Sequence, residues 1–427
     1  MQKGKEARAR KIQWTRCWMN IFRMRAWNGS IRKPRLWIWS QSSRNNGVLT
    51  RALAEQKKKI KKRKNMKKRD YNADLIRCVA VYSVLSVHFL LRTGFYSEIV
   101  EGPLMVFMCM YRSLFMACVP LFMILTGYLM CQKILCRSYY KGIWKTVEIY
   151  VLASIACLLF KRFVLNYDMT IRKAVLDILS FDAANYAWYV EMYFGLFLLI
   201  PFLNLIYNGL RSQKEKKILL LTMIALTMLP KILNNFDLTT EGWWSNPPVS
   251  KEYNPIVPGF FTAMYPITYY FIGAYLREYG WKLKKRWNLL LLFGAVAGFG
   301  LYNYYRSYGV KFIWGSNSTW GGENLITAVL LFTLLLHLHP ERWPRPVKSS
   351  LVFISKVSFG LYLVSWIADQ IVYGNFLNPH VMVVSERWKY YLAAVPASFL
   401  LSLGMSTVLS LVQGVRRMGW ALVKSRK

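Results

Sequence analysis

Ala73-Asp74-Leu75-Ile76-Arg77-Cys78-Val79-Ala80-Val81-Tyr82-Ser83-Val84-Leu85-Ser86-Val87-His88-Phe89-Leu90-Leu91-Arg92 is the stretch whose reading decides the fold. A helix of about 20 residues, rising 1.5 Å per residue, crosses a hydrocarbon core of roughly 30 Å. The stretch is that long, mostly apolar and free of Gly and Pro, so it reads as a membrane-crossing helix. Nine more segments read in the same way: residues 104–131, 142–160, 187–208, 217–234, 260–277, 287–305, 322–339, 351–373 and 390–414. The expected fold class is therefore an all-α membrane protein, a bundle of about ten transmembrane helices. The second segment is longer than one crossing needs and contains Arg112, which predicts an interfacial first part or a break.

Composition agrees with this reading. Hydrophobic residues make up 55% of the 427, aromatics 16% and charged residues only 18%, which excludes a disordered chain and argues against a soluble enzyme. The net charge of +38 would suggest nucleic acid in a polar chain, but the apolar runs assign the partner as membrane lipid, and no nucleic acid is expected. Seven cysteines, mostly inside apolar segments, form no visible disulfide framework. Residues 1–70 stand apart, with 23 Lys and Arg against Glu6 and Glu55 between Lys3 and Arg69. Such a block buries no core and holds no signal-peptide apolar region. It reads as a disordered cytosolic tail on anionic lipid, with Trp14, Trp18, Trp27, Trp37 and Trp39 as anchors, or as upstream sequence ahead of a start near Met66.

Loop charge sets the orientation. Loops on the side of the basic tail, together with the basic end at 416–427, hold 22 Lys and Arg, while the opposite loops hold 11. Both termini are thus expected in the cytosol, with the chain a multi-pass protein of the cell (plasma) membrane. The larger outer loops, 161–186 and 235–259, are expected to rim an outward-facing site.

Polar groups inside a membrane helix are expensive and so mark candidate sites. Eleven residues at about 100° each bring Arg77 and His88 to one face, about 16 Å apart along the axis. Asp74 sits one turn before Arg77, where an ion pair helps both tolerate burial. The plainer alternative makes Arg77 a snorkelling interface residue and His88 a helix-packing donor. Arg112 and Glu191 are cavity candidates or packing residues, and Thr126 lines a cavity or lets helices approach through Gly127. His337 and His339 point to different faces, and no ligand set for a metal is expected. Phosphate-binding loops, paired catalytic carboxylates and serine-hydrolase elbows are missing from the sequence.

Four segments carry a family resemblance: Asp74 with Arg77 and, after ten intervening residues, His88; Leu121-Phe122-Met123-Ile124-Leu125-Thr126-Gly127-Tyr128; Trp188-Tyr189-Val190-Glu191-Met192-Tyr193; and Ser358-Phe359-Gly360-Leu361-Tyr362-Leu363. In that order, over residues 70–415, they resemble the membrane acyltransferase 3 family of multi-span O-acyltransferases that modify surface polysaccharides. One departure is Ser365, where the family often has a second histidine. The resemblance implies an acyl-CoA donor, most often acetyl-CoA, with no permanently bound cofactor. It implies transfer to a hydroxyl of a surface carbohydrate acceptor or its lipid-linked precursor. His88 would be the acid–base group, Arg77, Lys141 and Lys145 would hold donor phosphates, and Asp74 would orient Arg77. Trp188 joins Arg112, Thr126 and Glu191 among the cavity candidates. Direct transfer and a covalent acyl relay both remain open. The alternative class is a polytopic exporter or flippase of a saccharide or lipid-linked intermediate, with Arg77, Arg112 and Glu191 along its path. A third is a membrane subunit recruited through the basic tail.

Overall fold

The computed structural model describes residues 69–238, 241–244, 256–314 and 320–425, with side chains as far as Arg417. The readings made for residues 1–68, including the tryptophan anchors, lie outside the described residues. Twelve principal helices follow one another. They are α1 (Tyr71–Arg92), α2 (Gly102–Phe115), α3 (Cys118–Met130), α4 (Trp144–Phe163), α5 (Ile171–Leu179), α6 (Trp188–Gly209), α7 (Gln213–Thr227), α8 (Tyr265–Tyr279), α9 (Lys285–Arg306), α10 (Glu323–Leu336), α11 (Arg345–Asp369) and α12 (Tyr391–Ser425). Among the described residues there is no strand, only two isolated bridges that tie Ile99 and Val100 to the segment after α9.

Local chemistry sets the ends. The Asp70 carboxylate accepts the Ala73 N–H at 3.1 Å and so caps α1. Ser212 and Glu215 form a capping box at the start of α7. Between α2 and α3 the second apolar segment breaks at Met116–Ala117. Pro120 explains the break: its ring clashes with the carbonyl four residues back, which is that of Met116, yet in the first turn of α3 its missing N–H costs no bond.

The bundle is built around α1 and α11. The first packs on α3 and α11, and α11 packs in turn on α4 and α12. On the other side α3 crosses α8 through two glycines: a Cβ on Gly127 would lie 1.9 Å from the Tyr270 carbonyl oxygen, and one on Gly273 1.9 Å from that of Ile124. Only hydrogen fits at either position, so the backbones touch as small residues allow in membrane bundles.

Each of the ten apolar segments contains a helix, and seven helical stretches are long and apolar enough to cross a membrane. The other three fall short for different reasons. At 15 residues each, α7 and α8 reach only about 22 Å. The 22-residue α9 is long enough but carries Asn288, Asn303 and three tyrosines between Tyr302 and Tyr305.

Candidate active site

His88 faces α11 from deep in α1. Its Nδ1 lies 3.0 Å from Oδ2 of Asp369. The line between them departs from the ring N–H direction, so the contact is a close approach and not a well-formed hydrogen bond, and it is an ion pair only when the imidazole is protonated. Asp369 is fully buried, and a buried carboxylate needs donors. The Ser398 hydroxyl donates to Oδ1 at 2.8 Å and the Tyr186 hydroxyl to Oδ2 at 2.9 Å. Arg92 Nε donates in turn to the Tyr186 oxygen at 2.9 Å. The Tyr186 ring lies against the imidazole with centroids 3.8 Å apart, and the Tyr362 hydroxyl donates to the Tyr186 carbonyl. With the carboxylate beside Nδ1, the proton of a neutral imidazole belongs on Nδ1, which leaves Nε2 as the basic nitrogen.

Two cavities meet beside this pair. The larger, about 400 Å³, is lined by Arg77, Lys145, Lys356, Thr126, Tyr193 and Gln413 among others. A smaller one, about 180 Å³, contains His88 and is walled by Tyr96, Tyr186, Trp188, Trp314 and Trp320. Val84, Val119 and Tyr362 line both, so the cavities adjoin across these three side chains. Arg77 is steadied at the larger cavity, its Nη1 lying 3.4 Å from both Asp74 Oδ1 and Ser355 Oγ, while Ser355 donates to Asp74 at 2.6 Å.

The structure thus brings together Arg77, Lys145 and Thr126 at one cavity and His88 and Trp188 at the other. Asp74 stays with Arg77, as the spacing predicts. Two expected site residues are elsewhere: Lys141 ends the short exposed helix Arg137–Lys141, and Glu191 is exposed on α6; neither lines a cavity. Their helices turn those positions outward, which a residue count along the chain does not reveal. Arg112 lies behind the smaller cavity's wall and not in its lining. Glu148 holds Arg416 and Arg417 of α12.

Sequence reasoning overlooked Asp369 and Lys356. The signal for Asp369 was present, since it is the only acid between Arg345 and Leu377. It comes one turn after Ser365, and a widened π-type stretch, Gln370–Leu377, follows it directly. Such widened turns are frequent at functional sites.

Seven helices long and apolar enough to span, with a buried imidazole–carboxylate pair whose histidine lines the smaller, aromatic cavity, fit a polytopic membrane protein. The profile of the acyltransferase 3 family, described as an acyltransferase domain, matches residues 70–410. The chain belongs to that family and is a membrane acyltransferase. No curated protein and no solved structure matches it.

Proposed function

We propose that this protein moves an acyl group, most simply acetyl, from acyl-CoA to a hydroxyl of a surface glycan or its lipid-linked precursor, in the plasma membrane. In this reading the chain crosses the membrane ten times with both termini in the cytosol, and the cationic cavity opens to the donor side. The observation that carries the reading is the abutment of the two cavities at Val84, Val119 and Tyr362, beside His88.

The larger cavity suits the pantetheine arm, with Arg77, Lys145 and Lys356 offering guanidinium and ammonium groups to the phosphates at its mouth. Aromatic faces in the smaller cavity suit the C–H faces of a sugar ring. A hydroxyl held there gives its proton to His88 Nε2 as its oxygen attacks the thioester carbonyl. The tetrahedral intermediate collapses, the C–S bond breaks, and the imidazolium returns the proton to the departing thiolate. The Asp369 carboxylate stabilises the imidazolium, as Ser398 and Tyr186 hold it in place.

The test is acyl-CoA consumption by the purified full chain, with a surface-glycan extract as acceptor, against His88→Ala at matched folding. His88→Ala is expected to lose about 10²- to 10⁴-fold in transfer. Full activity in that variant overturns the assignment of the base. A folded parent chain that neither binds acyl-CoA nor releases CoA puts the exporter reading first.

A further inference from the structure

Asp369 is fully buried, and a carboxylate at that depth calls for an opposite charge as well as hydrogen-bond donors. Two basic side chains stand around it. One is His88, whose Nδ1 lies 3.0 Å from Oδ2 and which is a cation only when protonated. The other is Arg92, in the last turn of the same helix, whose guanidinium is a permanent cation. Arg92 acts through Tyr186. Its Nε donates to the Tyr186 oxygen at 2.9 Å, and the Tyr186 hydroxyl donates to Asp369 Oδ2 at 2.9 Å. Its Cζ also lies 5.6 Å from the centre of the Tyr186 ring.

The direction of these bonds is forced. A guanidinium N–H can only donate and a phenol has one proton, so a Tyr186 oxygen that accepts from Arg92 still gives that proton to Asp369. Charge and dipole then point the same way, positive end toward the carboxylate, and reinforce each other. The end of α1 is itself held: Asn378 Nδ2, just past the widened stretch that follows Asp369, donates to the Arg92 carbonyl at 2.9 Å. Among the described residues, the other titratable side chains around the pair are uncharged near neutral pH. They are Tyr96 after α1, Tyr111 of α2, Cys118 of α3, Tyr186 before α6, Tyr362 of α11 and Tyr373 beyond it. Ser398 of α12 donates to Oδ1 and brings no charge, and Arg112 is bonded to Tyr96.

Building on the transferase reading above, we infer that Arg92 is a positioning residue of the reaction: bonded to Tyr186, it is the standing counter-charge of Asp369, and so leaves His88 neutral and free to take a proton. With Arg92 in place, the carboxylate is balanced before any proton arrives at the imidazole. Without it, the carboxylate draws a proton onto His88, and an imidazolium is no base. Arg92 lines neither cavity, so its effect belongs to the proton step and not to donor binding.

The experiment compares the full chain in nanodiscs with Arg92→Gln and Arg92→Lys, using acetyl-CoA and a surface-glycan extract at pH 7 and pH 9. Arg92→Gln is expected to lose about 3- to 10-fold in kcat at pH 7 with KM for acetyl-CoA unchanged, and to recover most of this at pH 9. Arg92→Lys, which keeps the charge, is expected to stay near the parent; Arg92→Met serves where Arg92→Gln does not fold. A rate unchanged at pH 7, or a loss equal at both pH values, overturns the inference. Nitrogen-15 NMR of the imidazoles adds a readout that does not depend on activity. The chain has four histidines, and His88→Ala identifies the signals of His88. At pH 7 the parent is expected to show a neutral ring protonated at Nδ1, and Arg92→Gln mostly an imidazolium. The same ring state in both overturns the inference. A parent chain that releases no CoA removes the transferase reading, and the spectra still decide the role of Arg92. His88-dependent release with identical spectra leaves the transferase standing and removes Arg92.

Discussion

At the scale of single residues, the proposed reaction turns on a carboxylate that lines neither cavity. Asp369 positions His88, and in Asp369→Asn the amide can donate to Nδ1, which favours the wrong tautomer. This variant is expected to lose about 10- to 100-fold in kcat with KM for acyl-CoA unchanged. Steady-state kinetics at matched folding check it; a rise in KM at constant kcat would assign Asp369 to donor binding instead. Half of this pair was legible in the sequence. His88 announced itself through its spacing from Arg77, but Asp369 lies 281 positions further on, and only packing of α1 on α11 brings the two together. Lys356 was read as a loop charge for the same reason: the sequence holds its identity and not the direction its helix turns it.

Among the helices, the contact of α3 with α8 is the least forgiving. Gly127→Ala and Gly273→Ala each drive a methyl into a neighbouring carbonyl, and the helices must move apart. Each is expected to cost roughly 1–3 kcal/mol, read as a fall in the thermal unfolding midpoint in detergent. An unchanged midpoint would mean that the two backbones are not in contact. Thr126-Gly127 left cavity lining and close approach open, and the structure assigns one to each residue: Thr126 lines the larger cavity and Gly127 makes the crossing. Apolar length located a helix in each of the ten segments, seven of them long and apolar enough to cross a membrane, because burial in lipid leaves a continuous record along the chain. It did not give the break at Met116–Ala117 its position, which depends on where Pro120 falls within a turn. Nor does length alone separate α7 and α8, at 15 residues each, from full crossings.

On the scale of the whole molecule, the proposed transfer needs an open neck between the two cavities that adjoin at Val84, Val119 and Tyr362. Val119→Trp, placed there, is expected to abolish transfer while acyl-CoA binding persists within a few-fold. Calorimetric titration with acyl-CoA and a transfer assay on the same sample check this; transfer at the parent rate would mean that donor and acceptor meet elsewhere. The clasp of Glu148 with Arg416 and Arg417 belongs to this scale too, since Gln413, one turn before Arg417, lines the larger cavity and donates to Glu148 at 3.0 Å. The neck also sets up a contest between nucleophiles. Any opening that lets a sugar hydroxyl meet a thioester admits water, which is smaller and far more abundant. A cavity of about 180 Å³ walled by indole and phenol rings leaves little room for water once a sugar lies in it, but an empty one does not exclude it. If acyl-CoA is the donor, as proposed, wasteful thioester hydrolysis in resting cells is the leak this architecture would carry, and acceptor supply, more than donor supply, would set how much acyl-CoA is squandered.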